Sequence, residues 1–333
     1  MSALLITSIT EKAGKTMLCA GLGKAWLDSG KRVGYLKPFS GAQSGTDRDV
    51  LFMRKILELK EPVEVISPAT GTRDEIKEAF AAIAGDKDAV IVDGGLLNDS
   101  GSFIEALDMK VLAVHDYSVP LTASLKEYQK LGSRLAGLVV NKVPVRAMSR
   151  IRSRVVEELS QAGIELLGMI PEDRILMTMS VADLAEAIEG KILNNQDGSS
   201  ELIENIMMGS STFDRGAAYY NRKINKAVIL WGERPGFRKA ALANFQAAAL
   251  QTSTRCIIIS ANGDPNPAVT QKAEEKQVPL ISAPGTIQDI VSALEAGFKN
   301  LKFSQEKKLT RLSEVLRQHL NFQQLSGIQG MKG

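Results

Sequence analysis

A chain of 333 residues carrying 41 Lys+Arg against 38 Asp+Glu is almost neutral, and its 44% hydrophobic and 24% charged content is that of an ordinary globular protein. The balance excludes a disordered acidic or basic tail protein and leaves no electrostatic footprint for nucleic acid, while the length predicts about two domains. Two distant cysteines, Cys19 and Cys256, and two histidines argue against a disulfide framework or a metal site and predict a reducing, cytoplasmic setting, and no apolar run approaches the roughly 18–20 residues of a membrane span.

In chain order, the first apolar run, Leu4–Thr7, reads as a buried strand and leads through Gly14-Lys15-Thr16 into a helical pattern over Lys15–Ser29. Five more strand-like runs follow: Arg32–Leu36, Ala89–Asp93, Val111–His115, Gly137–Asn141 and Leu166–Ile170. Amphipathic stretches at Asp49–Leu59, Arg73–Ala84, Leu121–Ser133 and Ala147–Gln161 lie between them. Near-continuous Val/Ile/Leu strands with intervening helices predict a doubly wound parallel sheet, covered on both faces and occupying residues 1–185. The polar segment Lys191–Ser200 reads as a loop or seam. After it the alternation restarts as a smaller α/β domain over 186–300. Its strands are expected at Ala227–Trp231, Cys256–Ser260 and Pro279–Ser282, and its helices at Phe237–Leu250, Pro267–Lys276 and Ile287–Phe298. In the remaining 301–333, Leu309, Leu312, Val315, Leu316 and Leu320 share one helical stripe, which predicts a docking or dimerisation helix and, by its apolar surface, a homodimer.

The sharpest chemical signal is Gly14-Lys15-Thr16 between strand and helix. Phosphate binding needs backbone amides at a helix N-terminus, a lysine to neutralise phosphate oxygens and a hydroxyl for Mg²⁺. The full pattern is broken, since Ile9 stands at the position of its first glycine. Asp93 ends a buried strand before Gly94-Gly95, where a Mg²⁺ ligand belongs, although Asp-Gly is also a common turn. Lys37 ends the second strand and would face the same crevice. Asp49, with Asp47 nearby, is a second metal candidate or a helix cap. Asn141-Lys142-Val143-Pro144 is either a base-reading turn, for adenine rather than guanine, or a plain strand end. His115 reads as a satisfied strand-edge residue and His319 as a surface residue.

In order along the chain stand Thr7-Ser8-Ile9-Thr10-Glu11-Lys12-Ala13-Gly14-Lys15-Thr16, Lys37-Pro38-Phe39-Ser40-Gly41, Asp49, Val92-Asp93-Gly94-Gly95, Asn141-Lys142-Val143-Pro144 and Gly168-Met169-Ile170-Pro171-Glu172-Asp173. Together they resemble dethiobiotin synthetase-like P-loop proteins, in particular the domain that begins long bacterial phosphate acetyltransferases. Gly232-Glu233-Arg234-Pro235, Ala240-Ala241-Leu242 and Val278-Pro279-Leu280-Ile281 resemble the DRTGG domain that follows it there, with Glu233 in place of the usual Asp and Asn262-Gly263 in place of Gly-Gly. The resemblance implies ATP and Mg²⁺ as cofactors. Gly14, Lys15, Thr16, Lys37 and Asn141 would lie on the nucleotide, and Thr16, Asp49 and Asp93 on the metal, Asp93 replacing the family's Glu. It implies an ATP/Mg-binding regulatory protein of central metabolism with a metabolic enzyme as partner. The alternative is an ATP-dependent ligase of the dethiobiotin synthetase type acting on a small carboxylic acid or amine. A glutaminase reading fails, because Cys256 has no glycine beside it.

Overall fold

The computed structural model describes residues 2–38, 47–69, 72–209, 217–231, 249–250, 252–263, 265 and 267–328. The expected motifs at Phe39-Ser40-Gly41, Gly232–Pro235 and Ala240–Leu242, with all but the last two residues of the helix expected at Phe237–Leu250, lie outside these residues. The chain forms two compact units: Met1–Asp173 joined by Lys302–Gly333, and Arg174–Leu301.

In the first unit the six predicted runs become strands of one sheet: β1 (Ser2–Ser8), β2 (Val33–Leu36), β3 (Ala89–Leu96), β4 (Lys110–Asp116), β5 (Leu135–Val143) and β6 (Leu166–Pro171). Their order is β2-β3-β1-β4-β5-β6, and every pair is parallel. The β2 strand and the first six residues of β3 are wholly buried, as strands covered by helices on both faces must be. Leu5, Val90 and Val92 pack under Ile76 and Ile83, while Leu138, Val140 and Met169 pack under Ile151, Val155 and Leu159. From β1 the chain first builds β2 and β3 on one side and later β4 on the other. The carboxyl ends of β3, β1 and β4 therefore form a topological switch point, where open α/β sheets hold ligands.

The second unit has a sheet of order β10-β11-β12-β13-β8, from β8 (Lys191–Ile192), β10 (Asn205–Met208), β11 (Lys226–Leu230), β12 (Thr254–Ile259) and β13 (Leu280–Ser282). A separate ribbon pairs β7 (Met179–Ser180) with β9 (Leu202–Ile203). That ribbon, with the Val181 amide bonded to the Glu201 carbonyl at 2.9 Å, ties residues 174–185 to the second unit. The two compact units therefore divide after Asp173. Lys191–Ser200 is not a seam, because its first two residues pair antiparallel with β13 inside the unit.

Of the two fates expected of the tail, docking and dimerisation, the structure shows docking. Residues 302–328 complete the first unit. In the helix Leu309–His319, Leu312, Val315 and Leu316 are buried, and Leu320 follows them. The apolar stripe is covered by its own chain, so it does not form the exposed patch that would call for a second copy. Two glycines make the room. A Cβ on Gly21, in the first helix of the chain, would stand 2.1 Å from Leu316 Cδ1. One on Gly168 of β6 would stand 2.5 Å from the His319 carbonyl oxygen. Gly168 bridges Leu320, and the Asn321 amide donates to the Leu167 carbonyl at 2.9 Å, so the tail covers the open edge of β6.

Candidate functional site

Helix α1 (Lys15–Asp28) starts where β1 ends, and its first turn breaks the usual rules of helix capping. Its N-cap is Gly14, in the left-handed region at φ 101°, with no side chain among the described residues capping the turn and no acidic residue in it. Helix α2 (Arg48–Ile56), by contrast, is capped by the Asp47 side chain and carries Asp49 in its first turn. A helix N-terminus carries unsatisfied N–H groups and a partial positive charge. Placing Lys15 there concentrates positive charge instead of relieving it, and the arrangement becomes favourable when an anion arrives. Gly14 is required twice over, by its φ and because a Cβ would stand 2.2 Å from Asn141 Nδ2.

The Lys15 ammonium donates to Ser8 Oγ at 2.9 Å, and Ser8 in turn donates to the Thr10 carbonyl at 2.6 Å. Burial pulls the Lys15 pKa below its ordinary value, against the attraction of Asp93. The Thr16 hydroxyl donates to Asp93 Oδ2 at 2.9 Å, and the fully buried Tyr35 hydroxyl donates to the same oxygen at 3.3 Å. Register explains the meeting. Asp93 lies opposite Ile6 on β1, and Leu36 lies opposite Val92, which brings Lys37 alongside Asp93. Lys37 is spent on two carboxylates, Asp47 Oδ2 at 2.8 Å and Asp49 Oδ2 at 2.7 Å. Burial draws its pKa down, but Asp49 and Asp47 outweigh that and hold the ammonium above its usual value. Asp47 Oδ1 also accepts the Asp49 amide at 2.9 Å, so the helix cap and the ion pair are one device. Asp49 Oδ1 is buried and has no hydrogen-bond partner among the described residues.

The end of β5 grips the loop from behind. Asn141 Nδ2 donates to the Ala13 carbonyl at 2.8 Å, and Asn141 Oδ1 accepts the Lys142 amide at 2.9 Å. Each end of the amide thus has a partner within the protein, and one N–H and one lone pair remain beyond these two bonds. Lys142, itself left-handed at φ 60°, donates to the Lys12 carbonyl and to Asp116 Oδ2, each at 2.7 Å. Two successive loop carbonyls are thereby held by β5. Ser8, Tyr35, Asp116 and Lys142 were not assigned roles from sequence. A tyrosine inside a fully buried strand was the one available signal, since its hydroxyl needs a partner. His115 behaves as expected, between the Tyr128 hydroxyl at 3.1 Å and the Val119 carbonyl at 3.0 Å.

Thr16, Asp49 and Asp93 offer hard oxygen donors, the chemistry of a Mg²⁺ site, and the orphaned Asp49 oxygen is an acceptor that a cation would satisfy. Among the described residues no group of three or more His, Cys, Asp or Glu is placed to hold a metal by itself. Mg²⁺ commonly takes only one or two carboxylates beside substrate phosphates, so the residues fit.

Burial raises the Asp93 pKa, against Lys37, the Thr16 hydrogen bond and Lys15. A carboxyl that binds its proton more tightly folded than unfolded costs stability once ionised. Asp93→Asn is therefore expected to raise the melting temperature of the ligand-free protein at pH 7. The gain should shrink as pH falls through the raised pKa and vanish below the ordinary carboxylate value of about 4. Thermal melts between pH 7 and pH 4 check this, and a less stable variant at pH 7 contradicts it.

Residues 2–180 match the family described as an AAA domain, and residues 183–296 match the DRTGG domain. The dethiobiotin synthetase of Streptomyces avermitilis is 30% identical over 205 residues, spanning 51% of this chain and 84% of that enzyme. The phosphate acetyltransferase of Deinococcus radiodurans is 24% identical over 246 residues, spanning 62% of this chain. That of Synechocystis is 18% identical over 306 residues, spanning 82% of this chain. The chain spans only 34% and 44% of the lengths of these two acetyltransferases. No helix among the described residues is long and apolar enough to cross a membrane.

Proposed function

This chain belongs to the AAA-domain family, in its dethiobiotin synthetase-like P-loop form with a DRTGG domain after it, and on that premise we propose that it binds ATP with Mg²⁺ as a regulatory protein of central metabolism. Gly14, Lys15 and Thr16 take the phosphates, and Thr16, Asp93 and Asp49 take the metal. Lys37 positions Asp49, and Asn141 positions the loop. The observation that carries this reading is the uncapped N-terminus of α1, with Lys15 in its first turn and Thr16 bonded to Asp93. Bound Mg²⁺ would neutralise phosphate charge. The residues' own work is to orient the phosphates on the α1 amides and to keep the carboxylates in place.

The regulatory reading is supported by the pairing of the P-loop unit with a DRTGG unit, the pairing to which the Synechocystis acetyltransferase aligns over 82% of this chain. Occupancy of the first unit would be read by the second or by an enzyme partner. A ligase reading is favoured by one fact: the chain covers 84% of a dethiobiotin synthetase. Calorimetry with ATP and Mg²⁺, followed by a turnover assay, separates the two. Binding with little turnover supports regulation. Turnover that demands a small carboxylic acid or amine supports the ligase. No heat from ATP–Mg²⁺ overturns both.

The metal assignment has its own test. Asp49→Asn is expected to weaken ATP binding about tenfold or more in Mg²⁺ and far less in EDTA, because it removes charge beside the orphaned oxygen. Equal losses in both buffers would reduce Asp49 to a partner of Lys37.

A further inference from the structure

A second cavity lies in the first unit and shares no lining residue with the α1 site. It is an open groove of about 420 Å³ between the helix Met148–Gln161, the edge strand β6, the end of the tail helix and the segment that follows it. Arg152 comes from that helix, Arg317 and His319 from the tail helix, Asn321 and Phe322 from the segment beyond it, and Gly168 from β6. No carboxylate lines it.

The local acids are already engaged. Arg311 holds Asp173 at 2.8 Å and Glu314 at 2.9 Å, while Glu165 accepts the Gln324 amide at 2.9 Å. Among the described residues neither Arg152 nor Arg317 has an ion-pair partner. Burial first, and then the charges of Arg152 in the cavity wall and of Arg311 outside it, hold the His319 imidazole below its ordinary pKa. His319 is therefore a partly buried ring, kept toward its neutral form beside Arg152 and able to donate one hydrogen bond, and not the plain surface residue expected from sequence.

Like charges gathered from two helices repel one another, and a bridging anion reverses the sign of that interaction. Two guanidinium groups present forks that match phosphate oxygens, and the volume lies within the range of small-ligand sites. We propose that this cavity binds a small phosphorylated metabolite, held by Arg152, Arg317 and His319, and that its occupancy fastens the tail onto the edge of the sheet. The link to the tail is direct, because His319 and Asn321 flank Leu320, the residue that bridges Gly168.

The test uses the full chain and pyrophosphate as the probe. Since pyrophosphate would also enter the α1 site, the measurement is made in Lys15→Ala. Calorimetry of that variant should show pyrophosphate binding, with inorganic phosphate weaker and acetate silent. Hydrogen exchange at the Asn321 amide, which bonds to Leu167, should slow on binding. Adding Arg152→Ala and Arg317→Ala should lower the affinity about tenfold or more for each arginine lost and abolish the slowing. With Lys15 intact, the double arginine variant should bind ATP–Mg²⁺ as the parent does. Both arginines are exposed, so their loss should leave the fold in place, and an unchanged melting temperature verifies this. Equal pyrophosphate binding with and without the arginines, or none in Lys15→Ala, overturns the proposal and leaves the α1 reading untouched.

Discussion

Lys15→Ala is expected to weaken ATP–Mg²⁺ binding by about 2–4 kcal/mol, or roughly thirty- to seven-hundred-fold, while leaving the ligand-free fold as stable as before. The size follows from removing one partner of a desolvated charge pair. The retained stability follows from what Lys15 does without a ligand. Its ammonium contacts a neutral hydroxyl, Ser8 Oγ, and burial works against its charge. Little is lost when such a group is deleted, and some desolvation cost is recovered. Calorimetry and a thermal melt of the same preparation check both halves. A variant that binds as tightly as the parent removes the α1 site from consideration. A variant that melts far below the parent would show that Lys15 holds the loop together.

Leu316→Ala is expected to destabilise the protein by about 2–5 kcal/mol, the range for truncating a fully buried leucine. Leu316 fills the notch above Gly21, and the cavity left behind cannot close by side-chain motion from that side, because glycine has none. Gly21→Ala should be damaging in the parent, where its Cβ would meet Leu316, and should recover part of the loss in Leu316→Ala. A denaturant double-mutant cycle measures this coupling. Removing the tail before Lys302 is the larger step. Burying Leu312, Val315, Leu316 and Leu320 contributes on the order of 6–12 kcal/mol as an upper estimate, comparable with the whole stability of a typical domain. The truncated chain should therefore aggregate or remain unfolded. A soluble, cooperatively melting truncation would mean that the tail is an accessory.

The sheet was legible because a parallel strand buried on both faces leaves a run such as Ala89-Val90-Ile91-Val92 that few other structures tolerate. The helix Leu97–Ala106 was not legible. Its Asp99, Ser100 and Gly101 are loop formers, and the structure uses Ser100 by donating its hydroxyl to the Gly94 and Leu96 carbonyls. The short strand Asn205–Met208 gave no periodic signal before its pairing with β11. At the candidate site, residue types and positions along the strands pointed to Lys15, Thr16 and Asp93 together, because chemistry at a strand end is local. What Asn141 and Lys37 contact was beyond sequence. Each has partners within reach that compete with a ligand, and only geometry ranks them. The tail stripe likewise declared an apolar face without declaring its cover, since the complementary feature is two missing side chains, at Gly21 and Gly168.

The return of residues 302–328 to the first unit also sets a schedule for biosynthesis. When β6 leaves the ribosome its outer edge has no partner, and about 130 residues of the second unit must be made before Leu320 can reach Gly168. At roughly 5–20 residues per second that interval is on the order of 6–25 s. Throughout it the nascent chain exposes unpaired strand backbone and the apolar seat of Leu316, which is the surface that chaperones hold and neighbouring nascent chains invade. Slowing translation within the second unit should therefore lower the soluble yield of this protein more than slowing it after Leu320 has emerged.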